Sequence, residues 1–105
     1  MKHLAIFKGN AGELILSGKK TIESRFSKVK NPPFRVISSG DLVYIKPSGK
    51  DIIGQFRVKK VIYYDDPERA DYRYVSDLFI GDSSRFITSP IKPIKKDLRG
   101  WMVLG

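Results

Sequence analysis

The chain has 105 residues, 41% of them hydrophobic and 11% aromatic, with 20 Lys and Arg against 11 Asp and Glu. That length has room for one domain, residues 1–105, which buries roughly two-thirds of its unfolded surface. The absence of cysteine excludes a disulfide framework and thiolate metal sites, the single His3 excludes a multi-histidine site, and the net charge of +9 points to a polyanionic partner.

In chain order, His3 to Phe7 reads as a first apolar strand, and Gly9-Asn10-Ala11-Gly12 turns it into a short helix carrying Glu13, Leu14, Ile15 and Leu16. Gly18 suits the end of that helix, because it tolerates the left-handed backbone that reverses the chain. A second strand is expected over Thr21 to Phe26. Its alternation sets Ile22, Ser24 and Phe26 on one face and Thr21, Glu23 and Arg25 on the other.

Residues 27–40 read as a long loop, since Asn31-Pro32-Pro33 forbids regular pairing and Ser38-Ser39-Gly40-Asp41 has turn composition. A strand from Asp41 to Lys46, a turn at Pro47-Ser48-Gly49-Lys50 and a long partner strand from Asp51 to Tyr64 form an expected hairpin, with Gly54 a candidate bulge. Asp65-Asp66-Pro67-Glu68 resembles a helix start, and Tyr72, Val75 and Phe79 keep helical spacing, so a later helix is predicted there. Residues 83–96 read as extended, with Pro90 and Pro93 confining them to an edge, and Gly100 to Leu104 as an apolar closing strand.

These elements make an α+β, mostly β domain, barrel-like because closure hides the edges of short strands. No stretch reaches the roughly 20 apolar residues of a membrane helix, and Met1 to Phe7 is too short for a signal peptide, so a cytoplasmic address is expected.

Charge is segregated along the chain. Residues 19–35 carry Lys19, Lys20, Arg25, Lys28, Lys30 and Arg35 against Glu23, and residues 46–60 carry Lys46, Lys50, Arg57, Lys59 and Lys60 against Asp51. Residues 65–82 instead hold Asp65, Asp66, Glu68, Asp71, Asp77 and Asp82 against Arg69 and Arg73. A directed polyanion site fits this better than an evenly solvated surface. The plainer alternatives are a charged solvated face or an anionic membrane surface.

Phosphate loops, dinucleotide glycine fingerprints, nucleophile elbows and histidine metal pairs are all missing from the sequence. What stands out is Gly18-Lys19-Lys20-Thr21-Ile22-Glu23-Ser24-Arg25. It resembles the signature of the ASCH domain: glycine, any residue, lysine, two of any, glutamate, any, arginine, following a helix. The similarity extends to the Ser39-Gly40-Asp41-Leu42 strand entry and to the closing Lys96-Asp97-Leu98-Arg99-Gly100-Trp101. The resemblance implies a PUA-like β-barrel, a fold shared with RNA-binding domains, and a cleft where the motif side chains converge.

Chemically, Lys20 offers a compact ammonium for a phosphate or carbonyl oxygen, Arg25 a planar fork for bidentate contacts, and Glu23 an acceptor for a base amino group. The plain alternative is an ordinary Glu23–Arg25 ion pair. Lys19, Lys46 and Arg57, with Lys59, Lys92, Lys95 and Lys96, are candidates for phosphate-backbone contacts. Tyr44, Tyr63, Tyr72, Tyr74 and Trp101 are stacking candidates, with core packing the better assignment for Trp101 and a structural or surface role for His3.

The expected partner is RNA or another single-stranded nucleic acid, bound by a monomer or weak homodimer without metal, cofactor or membrane. The rival is a hydrolase acting on a modified nucleoside or on RNA. Amidohydrolases similar to this barrel use a lysine in the motif, a threonine shortly after it and a distant glutamate to deacetylate N4-acetylcytidine. Lys20 matches the lysine, but Glu23 stands at the threonine position and no downstream acid matches, so catalysis would fall to Lys20, Glu23 and Arg25.

Overall fold

The computed structural model describes residues 1–30, 35–89 and, for the backbone alone, 101–103. Its elements are β1 (Lys2–Phe7), α1 (Ala11–Leu16), β2 (Ile22–Ser27), β3 (Leu42–Pro47), β4 (Gly54–Asp65), β5 (Tyr74–Arg85) and β6 (Trp101–Val103). All six strands join one sheet in the order β2-β5-β4-β3-β1-β6. β1 runs parallel to β3, and every other neighbouring pair is antiparallel.

The fold is thus mostly β with one short helix. Among the described residues the two end strands, β2 and β6, are not neighbours, so the sheet is an open half-barrel rather than a closed one. Ala5, Phe7, Val43, Ile45, Phe56, Val58 and Leu78 point to the inside of the curl, where Ile15 of α1 and Ile37 of the loop before β3 complete the buried cluster. On the other face of β1 and β3, Leu4 and Tyr44 pack with Ile52, Leu42 and Phe86 in a second cluster. α1 has six residues, too few to be stable alone, and is held by Ile15 and Leu16 against the inner cluster.

The Ser38–Asp41 turn forms as expected. Asp41 N–H donates to Ser38 O at 3.1 Å, and the Asp41 carboxylate accepts from Ser38 N–H at 3.0 Å and pairs with His3 Nε2 at 2.9 Å. The Asn31-Pro32-Pro33 segment, Pro90, Pro93, Gly100 and Leu104 lie outside the described residues.

The later helix is corrected: residues 74–85 are strand, forming with β4 a long hairpin. The acidic cluster caps a turn instead. Asp66 Oδ1 accepts from Glu68 N–H at 3.1 Å, and Asp66 N–H donates to Arg73 O at 3.0 Å, closing the hairpin. Val75 and Phe79 are four apart, a spacing that serves one face of a helix or one face of a strand equally well. Tertiary pairing with β2 and β4 decided between them.

Gly54 is also not the bulge. The register irregularities lie between Phe56 and Val58 and between Val58 and Lys60. Gly54 is needed for close approach, because a Cβ there would stand 2.5 Å from Ser84 O and 2.9 Å from Leu16 Cδ2.

Candidate nucleic-acid interface

β2 inverts the polarity of a half-buried strand. Its apolar residues face outward, with Ile22 41% and Phe26 53% exposed, while Glu23 is only 8% exposed. The register explains the orientation: Glu23 stands opposite Leu78 and Arg25 opposite Ser76, and Leu78 belongs to the inner cluster. The polar face of β2 is therefore the inner face.

Three motif side chains meet there. Glu23 Oε2 lies 3.3 Å from Lys20 Nζ, and Glu23 Oε1 lies 3.1 Å from Arg25 Nε. Lys20 arrives from the helix end, where Gly18 adopts φ +79° and Lys20 N–H donates to Leu14 O at 3.0 Å. Ile80 N–H donates to Thr21 O at 2.9 Å and fixes the start of β2 against β5.

Arg25 reaches furthest. Its Nη2 donates to Ile6 O at 2.9 Å, and the guanidinium carbon sits 5.0 Å from the Phe7 ring centroid. Burial pulls the Arg25 pKa below its ordinary value, opposed by the charge of Glu23 and a hydrogen bond to it. The group remains a cation, since arginine is not deprotonated in proteins. The cluster of two cations and one anion is net positive.

The same ladder extends inward from Arg25. Ser76 pairs with Arg25 on one side and with Tyr63 on the other, so the three side chains form one row on the inner face. The Tyr63 hydroxyl donates to Ile37 O, and burial pushes its pKa up. Ser76 is 2% exposed. Nothing in the local sequence marks this serine; only strand register places it beside the motif.

The remaining sequence candidates are dispersed. Lys19 is exposed beside Lys20. Lys46 lies on the opposite face of β3 from Ile45 and Pro47, hence away from the cluster. Arg57 is exposed, and its Nη1 donates to Gly40 O at 2.6 Å, holding the Ser38–Asp41 turn. Lys59 is exposed, and its carbonyl accepts from Ser39 Oγ at 2.8 Å. Lys46 and Arg57 face the outside of the sheet, and with the exposed Lys19 and Lys59 they add to the overall positive field.

Tyr44 is 8% exposed and packs at 6.0 Å against Phe86, so packing uses its ring. Tyr72 meets Phe26 edge-on at 6.3 Å on the outer face, and Arg73 covers the Tyr74 ring at 4.9 Å. His3 is 1% exposed and structural, through Asp41. Lys92, Lys95, Lys96 and the Trp101 side chain lie outside the described residues. Among those described, no group of three or more His, Asp and Glu could hold a metal, and no helix is long and apolar enough to cross a membrane.

The curled sheet with its motif strand is similar to solved structures. The crystal structure of ASCH from Zymomonas mobilis is matched with a TM-score of 0.61 at 16% identity, over 80% of this chain and 69% of that one. A tyrosine-to-phenylalanine variant of the same protein gives 0.59 at 16% identity, over 80% and 71%. A serine-to-alanine variant gives 0.55 at 18% identity, over 89% and 72%. At these identities the likeness is one of fold. No curated protein matches this chain. The family model of the ASCH domain matches residues 7–88, a span that runs from the end of β1 past β5 and includes the whole Gly18-to-Arg25 motif, and the chain belongs to the ASCH-domain family.

Proposed function

We propose that this domain is a nucleic-acid recognition module, RNA being its first candidate ligand, and that it binds through Lys20, Glu23 and Arg25 in the curl of the sheet. The observation that carries this reading is the inverted polarity of β2. Stability alone favours Ile22 and Phe26 inside and the ionised side chains in water, because taking charges out of water is costly even when they are paired. A strand that does the reverse sacrifices stability at the mouth of the fold, and such sacrifices are expected at functional sites.

The chemistry fits a nucleotide. Lys20, with its side chain 31% exposed, is the most accessible of the three and suits a phosphate oxygen. Arg25 presents donors in a fixed plane, and Glu23, whose two oxygens each keep a further lone pair beside the cation they hold, can accept from a base amino group. Lys19, Lys46, Arg57 and the other outward cations supply sequence-independent attraction to the backbone.

Recognition is favoured over hydrolysis because both Glu23 oxygens are engaged by cations. A general base for water needs an oxygen aimed at that water.

The test is a fluorescence titration of short single-stranded RNA, duplex RNA and single-stranded DNA against wild type and Lys20→Ala, with gels of the same mixtures. RNA binding that weakens at least tenfold in Lys20→Ala, with the RNA intact, is the expected result. Equal affinity in both proteins would refute the site. Cleavage lost in Lys20→Ala would replace recognition by a nuclease reading.

A further inference from the structure

The two end strands of the sheet differ in how far they expose an edge. β6 has three residues, whereas β2 runs for six with no Pro, Lys or register shift, three devices that blunt an exposed strand edge. Inward-pointing charge is a fourth such device, but Glu23 and Arg25 are of opposite sign and so select a partner strand instead of repelling every one. Ile80 N–H donates to Thr21 O, which turns the Thr21 backbone toward β5. By the alternation of an antiparallel ladder, Glu23, Arg25 and Ser27 follow it, and the N–H and C=O groups of Ile22, Ser24 and Phe26 point away from the sheet. Those groups hydrogen-bond to no other described residue.

This edge is complementary to itself. With a second β2 laid antiparallel and Ser24 opposite the partner's Ser24, Ile22 meets the partner's Phe26 and Glu23 meets the partner's Arg25, each twice over by two-fold symmetry. Ile22, Ser24 and Phe26 then form the hydrogen-bonded pairs, and Glu23 and Arg25 the closer pairs between them. A shift of two residues in either direction sets Glu23 against the partner's Glu23 or Arg25 against the partner's Arg25, like charges directly opposed. A shift of one sets the apolar face of one strand beside the polar face of the other.

We infer that β2 is a pairing edge whose partner is a second copy of this chain, held in that one register and joining two six-stranded sheets into one. Ile22, 41% exposed, and Phe26, 53% exposed, then cover each other on the outer face, where Phe26 already meets Tyr72 edge-on at 6.3 Å. On the inner face each Glu23 gains the partner's Arg25 across the seam, so the two motif clusters adjoin. The Arg25 bond to Ile6 O is made by a side chain on the inner face and leaves the backbone groups of the edge unused. One strand from each partner makes a small interface, and the association belongs to the weak, concentration-dependent class.

The experiment is sedimentation equilibrium of the protein without nucleic acid, from about 1 µM to about 1 mM, where weak interfaces form. Wild type is expected to pass from monomer to dimer within that range. Ser24→Pro removes an N–H that β5 does not use, so it should keep the wild-type circular-dichroism spectrum and stay monomeric. Ser24→Ala is its control: it loses the same hydroxyl bond to Asp77 Oδ1 but keeps the edge, and should dimerise as wild type does. The double variants Ile22→Lys/Phe26→Lys and Ile22→Glu/Phe26→Glu set like charges against each other and should each be monomeric. Mixed in equal amounts, they should associate.

Wild type that stays monomeric throughout overturns the inference, and so does a dimer that survives in folded Ser24→Pro, which would put the contact elsewhere. If Ser24→Pro unfolds, the two charged double variants decide alone. Wild-type dimers with no association in their mixture overturn the register, and the inference with it, because only that register pairs Glu23 with Arg25. None of the altered residues belongs to the Lys20, Glu23 and Arg25 cluster and no RNA is present, so these results leave the recognition reading to its own titration.

Discussion

The Arg25 guanidinium lies 5.0 Å from the Phe7 ring centroid, although β5, β4 and β3 intervene between their strands in the sheet. With its bond to Ile6 O, this one side chain spans the mouth of the half-barrel from the edge strand β2 to β1. The curl is thus held by a side chain where a closed barrel would use a ladder of backbone hydrogen bonds. The residue that latches the sheet is also a cation of the Gly18-to-Arg25 motif.

Removing that latch should be felt by the whole fold. Arg25→Ala deletes the Ile6 bond and the ring contact and leaves Glu23 with Lys20 alone. A loss of about 1–3 kcal/mol is expected in urea unfolding, below that for a fully buried pair because the Arg25 side chain is 23% exposed. Arg25→Lys keeps the charge without the fork and should recover only part of the loss. Unchanged stability in Arg25→Ala would show that β2 is held by its pairing with β5 alone.

Lys20 should behave oppositely. Its side chain is 31% exposed and its ion pair lies at the rim, so Lys20→Ala should change stability by less than about 1 kcal/mol. A larger loss in urea unfolding would mean that Lys20 holds the structure, and a binding defect in that variant could not then be assigned to the ligand.

Acid stability should depend on Asp41. Partial burial pushes its carboxyl up, but hydrogen bonds from His3, Ser38 N–H and the N-terminal ammonium outweigh this, and its pKa ends below the ordinary value. A lowered folded pKa contributes stability that is fully present above the unfolded value of about 4, and that is lost as pH falls through the folded value. Asp41→Asn should be less stable near neutral pH and show a shallower decline on acidification. Parallel acid limbs for the two proteins would remove Asp41 from the account.

The glycines separate two kinds of constraint. Gly54→Ala drives a Cβ to 2.5 Å from a backbone oxygen, Ser84 O, which must move the strand, and a cost of about 1–3 kcal/mol is expected. Gly18→Ala meets nothing within 4 Å but keeps φ +79°, so its cost is the left-handed backbone alone, about 1 kcal/mol. Thermal unfolding should rank Gly54→Ala as the more damaging.

Much of this architecture is local and was therefore readable in the chain. Apolar runs at β1 and β3, the Gly18 reversal, the Ser38–Asp41 turn and the alternation of β2 depend on neighbours a few residues apart. The motif spacing alone put Lys20, Glu23 and Arg25 within reach of one another. Segment 65–79 was misleading for the same reason, because acids beside Pro67 and a four-residue apolar spacing suit a helix start as well as a hairpin.

Tertiary structure decided the rest. Alternation in β2 separates two faces but does not say which one turns inward; pairing with β5 settled that in favour of the charges. Ser76 and Tyr63 joined the site through register, a relationship between strands that no window of sequence contains. Lys46 and Arg57, basic in sequence like Lys20, went to the outer face because one residue of strand reverses a side chain. The sequence by itself determined which chemistry the chain carries, since that is written in residue types and short spacings. Which of those groups meet on one face was decided only when the sheet curled, because curvature and register are properties of strands far apart in the chain.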